Sequence, residues 1–396
     1  MKRHLAKPLF CFLACVGAVM AAAETDAEVA TPLAEARFVV PPEKFIAHTP
    51  ERSFIGPGTI RLESGDILMA APWGRPPTNF DQLAATFPLP PLYRSADGGR
   101  TWMNAGRLPI EWKLSGMISD GGVSFLRLAD GRLAFVANRH VKEFHGGGVP
   151  VISFSRDDGA TWSAAKMLIE QDDGYYVMND RLIQLRSGRL LLPVSRKIGK
   201  HEGDRDESLA MLSDDGGESW RLSRGRARVD RPRGMQEPSA IELDDGRIRL
   251  LARTGAGSIH SSISADGGET WSAPEPTTLE APCSSLTLRR APDGRLVCLY
   301  NHAKPLTEGA FFPRTPLVYA LSADDGATWS APFVIDATGM EHRDRQNIYA
   351  SPCFTSEGML VVWSTHRADP NGSFAGAYDE TVGGGKRAII VLPSAP

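Results

Sequence analysis

Short apolar runs alternate with turn-forming clusters along most of the chain, and no long stretch repeats its apolar positions at the helical period. The clearest runs follow a Gly-containing turn. They are SGDILMA at Ser64, DGRLAFV at Asp130, SGRLLLP at Ser187, DGRIRLL at Asp245, DGRLVCL at Asp293 and EGMLVVW at Glu357. Each is preceded by another β-prone segment, such as TIRLE, SFLRL, RLIQL or AIELD. Two such segments around a short Gly turn predict a β-hairpin, and the chain has six of them.

A second repeat runs out of phase with the first. SADGGRTW, SRDDGATW, SDDGGESW, SADGGETW and SADDGATW begin at residues 95, 155, 213, 264 and 322. Spacings of 51 to 60 residues indicate a repeat architecture. The unit is a hairpin, a variable loop, a third strand, the SxDxGxTW turn and a fourth strand. Six units of four strands predict an all-β, six-bladed β-propeller. The sixth unit lacks the motif and ends with the strand Ala388 to Leu392, so its outer strand is expected from Ala36 to Val40 near the other terminus. Within the motif the Asp is suited to accept N–H bonds from its own turn, the Gly to positive φ, and the Trp to wedge between blades. Five copies of one device imply a structural role, not five active centres.

Composition agrees with many short strands: 396 residues, 42% hydrophobic, with 39 Gly and 29 Pro. Residues 1–23 read as a secretory leader, with Lys2, Arg3 and Lys7 before an apolar run and Ala21-Ala22-Ala23 at its end. This implies a secreted or periplasmic protein whose propeller occupies 24–396. Loss of the leader's three cations takes the formal net charge from −3 to −6. Such a balance favours neither nucleic acid nor an acidic membrane as partner. Cys283, Cys298 and Cys353 allow at most one internal disulfide, which excludes a disulfide scaffold.

Strand direction alternates within a blade, so the hairpin turns and SxDxGxTW turns share one face. The long loops, including Trp73 to Pro91, Arg196 to Glu207 and His302 to Pro316, lie on the other. Function concentrates in long loops on a rigid scaffold. That face displays Asn179-Asp180-Arg181, Glu237, Arg139-His140, Arg253, Arg314, Tyr349, Arg75 and Asp81. Several cations with a few acids there suit an anionic ligand, and the planar arginine fork matches a carboxylate.

The SxDxGxTW repeats resemble the Asp boxes, or BNR repeats, of the sialidase superfamily, over essentially the whole mature chain. The resemblance implies a Tyr nucleophile activated by a Glu, an Asp acid/base, and arginines holding the sugar carboxylate. Glu237 in EPSAIELDDGR, Arg253 in LLART, Arg314 in RTPLVYALSADDGATW and Tyr349 in NIYASPCF take the matching blade positions. Asp81 matches by loop position. The family's first arginine has no counterpart: Phe54-Ile55-Gly56-Pro57-Gly58 stands in its place, with Arg75, Arg52 or Arg343 as substitutes. Arg139, His140, Asp180 and Arg181 add polar groups beyond the family pattern. The expected activity is removal of a terminal acidic sugar from an acidic glycan by a monomer that needs no metal or other cofactor. A lyase acting on uronic-acid glycans and a glycan-binding propeller without catalysis are the competing readings.

Overall fold

The computed structural model describes residues 32–47, 54–71, 89–111, 117–140, 148–170, 174–198, 205–341, 344–368 and 383–395, with backbone alone for 117–121 and 140. These residues contain strands and no helix, grouped in six mainly antiparallel sheets. Blade 4 is the most regular, running Met235–Glu242, Ile248–Thr254, Ser258–Ser264 and Glu275–Glu280 in sequence order. Blades 1, 2 and 5 begin at Gly58–Arg61, Met117–Arg127 and Thr287–Arg290 and follow the same order. In blade 3 the first strand is broken into Tyr175–Tyr176 and Ile183–Gln184, both paired with Leu190–Lys197.

Blade 6 closes the ring. Arg345–Thr355, Gly358–Arg367 and Gly384–Val391 supply three strands, and Arg37–Ala47 supplies the fourth by antiparallel pairing with Gly384–Val391. The expected N-terminal strand is therefore present and longer than its apolar core suggested. Just before it, Ala34–Glu35 adds in parallel to Phe333–Asp336 of blade 5. One short segment thus ties the last two blades together.

The blades pack face to face, so their central strands are covered on both sides and read as nearly continuous apolar runs. Leu190 to Val194 are all buried, as are Met359 to Trp363. Between blades 1 and 2 the core joins Leu68 and Ala70 to Phe125, Leu133, Phe135 and Trp162. Trp329 and Trp271 pack at the edges of the corresponding layers further round the ring. Cys283, Cys298 and Cys353 are buried free thiols.

The Asp boxes are closed turns. In the fifth, the Ser322 hydroxyl donates to Asp324 Oδ1 at 2.7 Å and accepts from the Gly326 N–H at 2.7 Å. Asp324 also accepts from the Thr328 N–H at 2.9 Å and the Thr328 hydroxyl at 2.6 Å. The same bonds recur in the second box, around Ser155, Asp157 and Thr161. The Gly is required by packing as well as conformation. Gly268 has φ +87°, and a Cβ there would stand 2.5 Å from Leu191 of the preceding blade.

These turns set an acid limit on stability. Hydrogen bonds from Thr161 and Thr328 hold the Asp157 and Asp324 carboxyls down at about 2. A carboxyl depressed in the folded state stabilises fully above its unfolded value of about 4, and the contribution disappears as pH falls through the folded value. The urea midpoint should therefore drop steeply between about pH 4 and 2. Asp157→Asn and Asp324→Asn should each flatten that drop while lowering the midpoint at neutral pH. An unchanged slope would remove the boxes as its source.

Candidate active site

The mouth of the ring is built by a backbone device repeated from blade to blade. Asp180, Glu237 and Tyr349 stand at or beside the start of the inner strands of blades 3, 4 and 6, with φ of 52°, 50° and 55°. Non-glycine residues rarely adopt this left-handed region, and where they do the surroundings enforce it. In blades 4 and 6 each forms a bulge, where pairing skips from Gln236 to Ser239 and from Ile348 to Ser351. A bulge re-aims a side chain that regular pleating would send into a blade interface. Neighbouring blades hold both: the Glu237 N–H donates to Ser195 Oγ at 2.7 Å, and the Tyr349 N–H to Ser285 Oγ at 3.0 Å.

Glu237 and Tyr349 meet. The phenolic hydroxyl of Tyr349 lies 3.5 Å from Glu237 Oε1, at the outer limit of a hydrogen bond. Arg253 Nη2 lies 2.9 Å from the same oxygen. Cross-strand pairing of Gln236 with Arg253 delivers this contact. Burial pulls the Arg253 guanidinium down, but Glu237, with Cys283, Tyr349 and Tyr176, holds it above the ordinary arginine value. Glu237 Oε2 and Arg253 Nε and Nη1 are buried without a hydrogen-bond partner among the described residues. Buried polar atoms are normally paired, so such a group indicates a ligand or solvent partner.

Arg314 joins from blade 5. Its loop is held by Asn301, whose side-chain amide donates to the Arg314 and Asn347 carbonyls at 3.0 and 2.9 Å. Arg314 is 3% exposed, and its Nε donates to the Phe311 carbonyl at 3.1 Å. Burial lowers its guanidinium from the ordinary arginine value. A third arginine, unforeseen in the sequence, completes the group. Arg233, Arg253 and Arg314 place their guanidinium carbons 4.2, 5.3 and 5.2 Å from the centre of the Phe311 ring. The polar contacts continue through Gln236, which receives the Cys283 thiol at 3.4 Å and donates to Asp206 Oδ2 at 2.7 Å. Tyr176 donates to the same Asp206 oxygen at 2.6 Å.

Other expected site residues have different surroundings. Arg181 is 1% exposed, and its guanidinium donates to the Asn179 and Leu286 carbonyls, both at 2.7 Å. It braces blade 3 against blade 5 and does not present its charge at the mouth. Asp180 is also buried, 3.6 Å from Arg289. Arg139 ends the second strand of blade 2 and reaches Met167 Sδ at 3.1 Å. His140 is described by backbone alone, next to it in that strand. Arg75 and Asp81 lie outside the described residues, as do Arg52 and Arg343. Phe54 and Ile55, where the family pattern has its first arginine, are buried.

Comparison with known proteins places these observations. Residues 123–362 match the model of the BNR repeat-like domain family. A sialidase from Micromonospora viridifaciens is 27% identical over 320 residues, 70% of this chain and 45% of that protein. A sialidase from Bacteroides fragilis is 26% identical over 272 residues, 60% of this chain and 47% of that protein. The chain thus spans about half the length of these relatives. Among solved structures, a protein of unknown function from Dyadobacter fermentans has a TM-score of 0.66 at 18% identity, covering 90% of this chain and 99% of its own. An intramolecular trans-sialidase from Ruminococcus gnavus has a TM-score of 0.57 at 16% identity, covering 89% and 98%. The structural likenesses show a shared propeller fold.

Asp180 gives a pH test of its buried setting. Burial raises its carboxyl to about 6, against the opposing pull of Arg289, Ser351 and Arg181. A carboxyl raised in the folded state contributes most below its unfolded value, and that contribution is lost as pH rises through about 6. Relative to Asp180→Asn, the wild-type protein should lose urea resistance between about pH 4 and 7. Parallel midpoint curves over that window would place Asp180 in contact with water.

Proposed function

The chain belongs to the BNR repeat-like family, and we propose that it is a glycosidase of sialidase type that releases a terminal acidic sugar from glycans. The observation that carries this reading is the convergence of the Tyr349 hydroxyl and the Arg253 guanidinium on one oxygen of Glu237, 3.5 and 2.9 Å away. A long nucleophile–base contact is usual before substrate binds, because such bonds tighten in the reacting complex. A phenol is also the appropriate nucleophile for an already anionic sugar, since a carboxylate would be repelled by it. Tyr nucleophiles depart from the usual pair of glycosidase carboxylates for that reason.

In the first step Tyr349 Oη attacks the anomeric carbon and its proton passes to Glu237. The bond to the leaving oxygen breaks, and that oxygen takes a proton from the acid, assigned to Asp81. In the second step Asp81 removes a proton from water, the water oxygen attacks the anomeric carbon, and Tyr349 leaves and recovers its proton from Glu237. Arg253 fixes the carboxylate of Glu237 and, with Arg314, faces the sugar carboxylate. Arg233 supplies the third guanidinium in place of the arginine missing from blade 1. Arg75, Arg139 and His140 are kept as further substrate-binding candidates from the sequence. Asp180 and Arg181 support the mouth from beneath.

Hydrolysis of methylumbelliferyl α-sialoside tests this directly. Tyr349→Phe should lower kcat by on the order of 10³-fold, and Glu237→Gln by about 10²- to 10⁴-fold, without loss of folding. Arg314→Lys and Arg233→Ala should mainly raise KM, since neither replacement side chain offers a planar fork to a carboxylate. Full turnover in Tyr349→Phe would end the proposal. Ultraviolet-absorbing unsaturated products from uronic-acid glycans would assign lyase chemistry instead.

A further inference from the structure

The segment joining blades 3 and 4, RLSRGRARVDRPR from Arg221 to Arg233, holds six arginines in thirteen residues. Arg233 stacks on Phe311 beside Arg253 and Arg314. Two others, Arg226 and Arg228, turn back onto blade 3 because Ala227 bridges Ser208 at the blade's outer edge. There they meet Glu207, whose side chain is fully buried. Arg226 Nε lies 2.9 Å from Glu207 Oε1, Arg228 Nε donates to Oε2 at 2.6 Å, and Arg196 Nη1 approaches Oε1 at 3.5 Å.

One buried carboxylate therefore organises three guanidinia, and Arg226 and Arg228 alone outnumber the one carboxylate that they share among the described residues. The arginines are not buried with it. Their side chains are 32%, 25% and 64% exposed for Arg196, Arg226 and Arg228. Asp230, the one acid of the segment, is engaged by Arg205, and Arg231 pairs with Glu308 of the blade 5 loop. Arg196 is further steadied over the buried Tyr175 ring, at 5.8 Å. The result is a fixed cationic cluster on the mouth face.

Its position links it to the Glu237 site. Arg196 pairs with Glu207 and Lys197 with Asp206, and Asp206 receives the amide of Gln236 beside Glu237. The cluster sits one to two strand spacings, about 5–10 Å, outward from the inner strands. A second sugar ring of a bound glycan covers such a distance. We propose that Arg196, Arg226 and Arg228 form an anion subsite that receives a sulfate or carboxylate on the sugar following the terminal residue. The preferred substrate class is then a glycan with more than one acidic unit. The proposal rests on the glycosidase reading for the placement of that second charge, whereas binding at the cluster does not require turnover.

Arginine forks suit both carboxylate and sulfate oxygens. The net negative charge of the whole chain argues against a nucleic acid or an acidic membrane, which call for a wide positive field. The ring beside the cluster, Tyr175, is buried and offers no stacking platform for a base.

The test uses the purified full chain and three fluorescent probes: a sulfated chondroitin tetrasaccharide, a neutral chitin tetrasaccharide and a short DNA duplex. The sulfated probe should bind in a salt-dependent manner and the other two should not. Arg226→Gln/Arg228→Gln should weaken that binding at least about tenfold and reduce its salt dependence. Arg228→Gln alone, at the most exposed of the three positions, should weaken it in the same direction while leaving Glu207 two partners. Turnover of methylumbelliferyl α-sialoside, which lacks a second acidic unit, should be unaffected by either change. The subsite stands if the sulfated probe loses affinity as described even where the small sialoside is not hydrolysed, an outcome that would reject only the sialidase reading. Equal affinity of wild type and both variants for the sulfated probe, or DNA binding as tight as glycan binding, overturns it.

Discussion

The ring depends on a set of hydrogen bonds that pass from each blade to the next near the axis. The Val123 N–H donates to the Gly56 carbonyl, joining blade 1 to blade 2. Every later junction uses a serine hydroxyl as acceptor. Ser124 receives Arg181 and Leu182, Ser195 receives Glu237, Ser239 receives Leu288, Ser285 receives Tyr349, and Ser351 receives Thr59. Inner-strand ends carry backbone donors that their own ladders do not satisfy, and an unmet buried donor is costly. The hydroxyls satisfy those donors and set the angle between blades in the same contact.

The candidate chemistry is attached to this ring. Two of the donors are the N–H groups of Glu237 and Tyr349, so both side chains are aimed by the bonds that join the blades. The left-handed backbone at both positions is enforced from outside, which gives the meeting of side chains from blades 4 and 6 a rigid support. Arg253 and Glu237 form a nearly buried ion pair. Desolvation offsets much of the attraction in such a pair, so its presence says more about function than about stability. Arg181 and Asp180 show the other use of buried charge, with the guanidinium occupied by the Asn179 carbonyl at the strand break of blade 3 and by the Leu286 carbonyl of blade 5.

The repeats made the architecture legible because each is a complete local device. SADDGATW encodes its turn, its glycine and its wedge within eight residues, whatever the rest of the chain does. Glu237 and Arg253 were legible for a related reason, since a hairpin register fixes which residue opens one strand and which closes its partner. Arg233 and Phe311 were not. They meet only when the blade 3–4 connection and the blade 5 loop fold over the same mouth, and nothing in RPRGMQE distinguishes this arginine from its five neighbours. Nor does NDR reveal that its arginine faces inward, because an arginine at a strand end is ordinarily solvated, and only the break at 177–182 draws it inside.

The closing strand carries a kinetic consequence. Arg37–Ala47 pairs with Gly384–Val391, so nearly the whole chain separates the two partners. Contacts of such long sequence separation form slowly, because the intervening chain must be ordered before the pairing repays its loop entropy. During synthesis Arg37–Ala47 has no strand partner until Gly384–Val391 emerges, and the edge of Gly384–Val391 stays open until Arg37–Ala47 returns. Blades 1 to 5 can assemble vectorially, whereas the complete ring is the final event. The folding of this protein thus has a built-in last step, and the interval before it is when an unpaired edge is available to a neighbouring chain.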